Sequence, residues 1–198
     1  MTSAPTRPKS HNFSLPNLLT YGRVAAVPVV AALLLWPEED WARWSALAVF
    51  SVAAITDFFD GYLARVWSQQ SSLGQMLDPI ADKLLVAVCL LMLAADGEIA
   101  GSSLWAAFII LTREILVSGL REYLAGLRVS VPVTQVAKYK TTLQLVSLGF
   151  LIAGPAGEKV LPYTQTIGLT LLWAAALLTL YSGWDYMRAG LKHITDED

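Results

Sequence analysis

Cysteine is almost missing from this chain. Cys89 is the only one and sits inside an apolar run, which excludes a disulfide framework and a thiolate metal site. It reads as a small buried hydrophobe rather than a redox group. Histidine is nearly as scarce: His11 and His193 lie in the flanks, without metal-ligand spacing. Charge is sparse too. Only 15% of the 198 residues are charged, where a soluble domain usually carries about a quarter. A net charge of −2 gives no basis for a nucleic-acid surface. Internal repeats, low-complexity tracts and long linkers are absent.

What is abundant is apolar surface. Hydrophobic residues make up 55% of the chain, and the mean hydropathy is +0.51. That excess is accounted for by lipid rather than by a large core. A bilayer core needs about 20 apolar residues in a helix. Six segments meet this, at about 17–36, 41–67, 72–95, 102–127, 132–153 and 162–190. The expected fold is all-α: a polytopic membrane protein of six transmembrane helices. No small-residue cleavage site follows the first apolar stretch, so it is read as a retained helix and not a signal peptide. An N-terminal arm at 1–14 and a short tail at 192–198 flank the membrane domain at 15–191.

Lys and Arg in the connections set the expected orientation. With the N-terminus inside, Arg7, Lys9, Arg65, Arg121, Arg128, Lys138, Lys140, Arg188 and Lys192 fall on the cytoplasmic side. The opposite side receives only Arg43 and Lys159, beside Glu38, Glu39, Asp40, Asp96, Glu98 and Glu158. Both termini are therefore expected in the cytoplasm. Trp36, Trp41, Trp44 and Trp105 then lie near the outer interface, where indole rings are favoured.

Against this background four carboxylates stand out. The second span reads TDFFDGYLARV, with Asp57 and Asp60 one turn apart; the third reads LGQMLDPIADKLL, with Asp78 and Asp82 at i and i+4. Both spacings put the two acids on one helix face. A carboxylate at the centre of a membrane helix costs about 2.5–3.5 kcal/mol on insertion scales. By helical rise, Asp60 lies about 7 Å before Arg65 and Asp78 about 9 Å after Ser72. If the two spans are antiparallel neighbours, both pairs meet just under the cytoplasmic surface. Clustered like charges repel, and a divalent cation relieves that. Oxygen-only donors favour Mg²⁺, Mn²⁺ or Ca²⁺ over zinc. The blander alternative pairs the acids with Lys83 or Arg65 as interhelical glue. Gly61, Ala64 and Gly74 share these faces and admit either a ligand or a close helix. Pro79 disturbs the backbone ladder beside Asp78.

Together these residues spell Asp57-x2-Asp60-Gly61-x2-Ala64-Arg65-x8-Gly74-x3-Asp78-x3-Asp82. The pattern resembles the complete signature of the CDP-alcohol phosphotransferase family, and its spread over two membrane helices makes it specific. The resemblance implies a six-helix membrane fold, a homodimer, and an active site facing the cytoplasm. It further implies that Asp57, Asp60 and Asp78 bind one or two metal ions, Mg²⁺ or Mn²⁺, and the CDP pyrophosphate. Asp82 is then the general base, with metal contact as a further role. Arg65 adds charge at the phosphates, and Gly61 and Gly74 make room for the nucleotide.

Three more stretches, PNLLTYGRVAAVP at 16–28, TREILVSGLREYLA at 112–125 and VAKYKTTLQ at 136–144, are similar to one branch. That branch moves a phosphatidyl group from CDP-diacylglycerol to glycerol 3-phosphate. Arg113, Arg121, Lys138 and Lys140 are expected to hold the acceptor phosphate, since converging cations suit such a group. The competing reading assigns them to the positive-inside bias, which is preferred for Arg128, or pairs Arg113 with Glu114. Asn17, Thr20 and Arg23 are placed near CDP, with helix capping the alternative for Asn17 and Thr20. The rival functions are another acceptor (phosphatidylglycerol, inositol phosphate or serine) and, outside the family, a divalent-cation transporter.

Overall fold

The computed structural model describes residues 15–67, 72–126 and 135–195. They form six α-helices and, among the described residues, no strand: α1 (Leu15–Leu33), α2 (Asp40–Trp67), α3 (Ser72–Ala95), α4 (Ser103–Gly126), α5 (Gln135–Glu158) and α6 (Thr164–Thr195). Long apolar stretches free of internal turn chemistry explain the helices, because every backbone polar group is satisfied within the segment. The expected segments match one for one. α6 continues beyond 190 to Thr195.

The fifth expected segment ends at 153, and the backbone does break there. Gly154 takes φ 43° and ψ −129°, a left-handed conformation that suits glycine, and Pro155 follows. A last turn then runs on to Glu158. The Glu158 carboxylate accepts from the backbone N–H of Tyr163 at 2.8 Å and of Gln165 at 3.0 Å. An acid at the start of α6 caps orphan donors and complements the helix dipole.

The densest packing is between α5 and α6. Gly168 permits it: a Cβ there would lie 2.8 Å from Leu151 Cγ. Ser147 Oγ donates to the Gly168 carbonyl at 2.8 Å in the same contact. α4 packs chiefly on α6. Read from the sequence, α2 and α3 are direct neighbours; among the described residues, α1 and α5 each pack against both of them instead. Among the described residues, α1 and α5 thus link the two aspartate-bearing helices. The core between them holds Val30, Phe50, Leu85, Leu93, Leu148 and Leu172.

Ion pairs mark one end of the bundle. Arg43, near the start of α2, meets Asp96 at 2.7 Å and Glu98 at 3.4 Å in the α3–α4 connection. Lys159, after α5, meets Asp40 at 2.6 Å. The starts of α2 and α4 and the ends of α3 and α5 therefore share this end, and the helices alternate in direction. Trp36 and Trp41 stand there with ring centroids 6.5 Å apart.

The outer surface is greasy. Leu91, Trp105, Ile115, Leu177 and Trp184 are each more than half exposed. Water does not support so continuous an apolar surface; a bilayer does. By length and composition, Ser103–Gly126 and Thr164–Trp184 are long and apolar enough to cross a membrane.

Candidate active site

The signature aspartates fall on continuous helix. Asp57 and Asp60 lie within α2, and Asp78 and Asp82 within α3, which carries Pro79 inside it. Helical backbone at all four positions means that each pair shares a face, as its spacing requires. The side chains of Asp57, Asp60, Gly61, Arg65, Gly74, Asp78 and Lys138 lie outside the described residues. Among the described residues no three His, Cys, Asp or Glu side chains gather as a metal site. Lys83, one suggested partner for the acids, donates to the Pro79 carbonyl at 2.8 Å.

Asp82 is half-buried and lines a cavity of about 590 Å³ between α3, α4 and α5. Glu114, Ser118, Thr141 and Gln144 line it as well, among apolar side chains. At its edge the Lys140 ammonium donates to Glu114 Oε1. Arg113 lies 3.4 Å from the same oxygen and donates to Ser182 Oγ on α6 at 3.1 Å. Lys140 is buried, and Glu114, which holds it, lines the same cavity as Asp82. Gly183 makes space for this arrangement, since a Cβ there would lie 2.9 Å from Arg113 Cγ.

Three of the expected residues, Asp82, Arg113 and Lys140, are therefore brought together. Arg121 is exposed on α4, about 12 Å of helical rise from Arg113. Asn17, Thr20 and Arg23 are buried at three-residue intervals along one side of α1. α1 begins at Leu15, so Thr20 stands in its second turn and Asn17 inside its first, away from the capping position.

Two residues carry more than their sequence signals suggest. In the sequence Glu114 is only the neighbour of Arg113, yet it also holds Lys140 from another helix. Gln144 ends the stretch VAKYKTTLQ; it is buried and lines the cavity. A polar side chain in an otherwise apolar span is the signal that points to both.

The far end of the bundle has its own buried network. Beyond its two carboxylates, Arg43 donates to the Pro37 carbonyl at 2.9 Å and to the Leu151 and Ile152 carbonyls at 3.4 Å. Glu98, in the connection, has its carboxyl pushed above the usual range by burial, opposed by Arg43 and reinforced by Asp96. A Cβ at Gly154 would lie 2.5 Å from Arg43 Nη1, so the kink in α5 and the arginine fit together only with glycine.

Comparison with known proteins agrees with the motif. The family model described as CDP-alcohol phosphatidyltransferase matches residues 13–181. Among similar proteins, one from Cereibacter sphaeroides is 40% identical, over 94% of this chain and 99% of the relative. One from Rickettsia bellii is 44% identical, over 91% and 97%. One from Shigella flexneri serotype 5b is 38% identical, over 93% and 99%. All three are named CDP-diacylglycerol–glycerol-3-phosphate 3-phosphatidyltransferase. With the signature set on two helices and the family match spanning most of its length, the chain belongs to the CDP-alcohol phosphatidyltransferase family.

Proposed function

We propose that this protein transfers the phosphatidyl group of CDP-diacylglycerol to sn-glycerol 3-phosphate, giving phosphatidylglycerophosphate and CMP for anionic phospholipid synthesis. The observation that carries this is near full-length similarity to relatives named for that reaction. The placement of Asp82 beside the Glu114–Lys140 pair supports it. A phosphate-bearing acceptor needs a cation near the base that takes its proton, and here Glu114, which holds Lys140, lines the cavity with Asp82.

In this reading Asp82 takes the proton from the 1-hydroxyl of glycerol 3-phosphate. That oxygen bonds to the lipid-linked phosphorus, and the bond from phosphorus to the bridging oxygen breaks, so CMP leaves. Lys140 and Arg113 hold the acceptor phosphate, with Lys138 and Arg121 on its approach from the cytoplasm. Asn17 and Thr20 lie toward the CDP end, where Arg65 adds charge and Gly61 and Gly74 leave room. The donor set fits one or two hard divalent ions, Mg²⁺ or Mn²⁺, because Asp57, Asp60, Asp78 and Asp82 offer only oxygen. When bound, such ions clamp and neutralise pyrophosphate oxygens. Direct transfer needs no phospho-enzyme.

The exposed apolar surface and the alternating helices suit six spans in the cytoplasmic membrane. The Lys/Arg bias puts the site and both termini on the cytoplasmic side, and the family resemblance adds a homodimer. The test is CMP release by purified protein in detergent, with CDP-diacylglycerol, Mg²⁺ or Mn²⁺, and a panel of acceptors. Metal-dependent release with glycerol 3-phosphate alone is expected. Release only with serine, inositol phosphate or phosphatidylglycerol would move the basic cluster to another ligand. Metal flux into vesicles without CMP release would favour a transporter.

A further inference from the structure

An arginine offers only donors, and in an apolar span each of them needs an acceptor. Arg113 on α4 reaches in two directions. Its Nη1 lies 3.4 Å from Glu114 Oε1, the oxygen that also accepts from Lys140. Its Nη2 donates to Ser182 Oγ on α6 at 3.1 Å. Two cations that share one carboxylate oxygen repel each other, so Glu114 by itself is a weak anchor for the second of them.

Ser182 supplies the other anchor. It is 2% exposed, and its own proton goes to the Thr179 carbonyl, one turn back on α6, at 3.3 Å. A hydroxyl has one proton and two lone pairs, so its oxygen is left to accept from the guanidinium. Small residues in a membrane helix commonly serve close helix packing. Here the next residue, Gly183, faces a charged side chain instead: the three atoms nearest to a Cβ there all belong to Arg113, the closest at 2.9 Å. One residue of α6 holds the tip of the arginine, and its neighbour leaves room for the stem.

We infer that Ser182 is a positioning residue: its Oγ fixes the Arg113 guanidinium against Glu114 and so sets the cationic group that takes the acceptor phosphate. The inference rests on the proposed transfer to glycerol 3-phosphate. Glu114 carries the effect to the site, since it holds Lys140 and lines the cavity with Asp82. Ser182 acts through Arg113 and touches neither substrate. Its loss therefore falls on affinity for the phosphate-bearing acceptor, not on the donor lipid.

The experiment measures kcat and both KM values for Ser182→Ala, Ser182→Cys and Ser182→Thr, using full-length protein in detergent. Cysteine is close to serine in size but is a weak acceptor, whereas threonine keeps the hydroxyl and can still bond the carbonyl one turn back. Alanine and cysteine are expected to raise the KM for sn-glycerol 3-phosphate about tenfold, the scale of one hydrogen bond to a charged group. The KM for CDP-diacylglycerol and kcat should hardly change, and threonine should restore most of the loss. An unchanged KM for glycerol 3-phosphate in Ser182→Ala overturns the inference. So does an equal rise in both KM values, a cysteine variant that behaves as wild type, or a folded threonine variant that loses as much as alanine. Should threonine fail to fold by thermal unfolding, the Arg113→Met background decides. There Ser182→Ala should add little, and a second full loss overturns the inference. Wild-type protein inactive with glycerol 3-phosphate overturns the proposed reaction itself, a result distinct from active protein that is indifferent to Ser182.

Discussion

Glu114 Oε1 accepts a hydrogen bond from the Lys140 ammonium, joining α4 to α5 at the edge of the cavity that Asp82 lines. The backbone of α4 packs chiefly on α6, so this pair, with Arg113 and Ser182, ties three helices through side chains. A buried lysine needs a carboxylate; the carboxylate in turn places it. The pair therefore couples the packing of the bundle to the position of the cation proposed to hold the acceptor phosphate.

Lys140→Ala should raise the KM for glycerol 3-phosphate about tenfold or more, and that for CDP-diacylglycerol much less. Glu114→Ala should act in the same direction, through loss of the position of Lys140. Because the two act as a unit, the double variant should lose less than the two single losses combined. Steady-state kinetics over both substrates check this, and equal KM changes for both would argue against the phosphate role.

The signature carboxylates make a different prediction. Asp57→Ala, Asp60→Ala and Asp78→Ala should each reduce CMP release by roughly a hundred- to a thousandfold or more, the scale of removing a transition-state charge stabiliser. The protein should still insert, since the change removes a charge that is costly in lipid. Purified variants assayed over a range of Mg²⁺ and Mn²⁺ give the answer. Wild-type rates from any of the three would refute the metal-clamp assignment.

Gly183→Ala sets two effects against each other. Alanine favours the helix over glycine by about 1 kcal/mol, while its Cβ, 2.9 Å from Arg113 Cγ, pushes the arginine aside. Thermal stability should shift little, and the KM for glycerol 3-phosphate should rise severalfold. A variant with unchanged kinetics would show that Arg113 has room to adjust.

At the opposite end, Arg43→Met should cost about 3–5 kcal/mol, as is usual when one partner of a buried charge pair is removed. It leaves Asp96 and Glu98 buried with their cation gone. Thermal unfolding in detergent should show a clear fall in Tm.

Glu98 adds a pH dependence whose sign follows from its raised pKa. Its stabilising contribution is fully present below the unfolded carboxyl value and is lost as pH rises through the folded one. Glu98→Gln is neutral throughout and escapes that loss. The Tm of the variant relative to wild type should therefore rise as pH increases from the carboxylate range to neutrality. A difference that is constant with pH would mean that the burial of Glu98 carries no penalty.

Local chemistry was legible in the residues alone. Six apolar stretches, the end of the fifth near 153, and the i, i+3 and i, i+4 spacing of the aspartates are all short-range facts, set within one or two helical turns. The family signature is of the same kind, lying within 26 residues of sequence. Partner choice between helices was not legible. Arg113 looked equally suited to its chain neighbour or to a ligand, and proves to touch Glu114 and, across to α6, Ser182. Lys140 and Glu114 are 26 positions apart, and no periodicity links them. Arg43 meets carboxylates more than fifty positions away because the connection after α3 folds over the start of α2. The packing of α1 and α5 against both α2 and α3 was likewise settled only in three dimensions. Helix formation depends on each segment satisfying its own backbone, which composition dictates; helix neighbours are chosen by shape, small residues and buried charge, which meet only once the bundle has assembled.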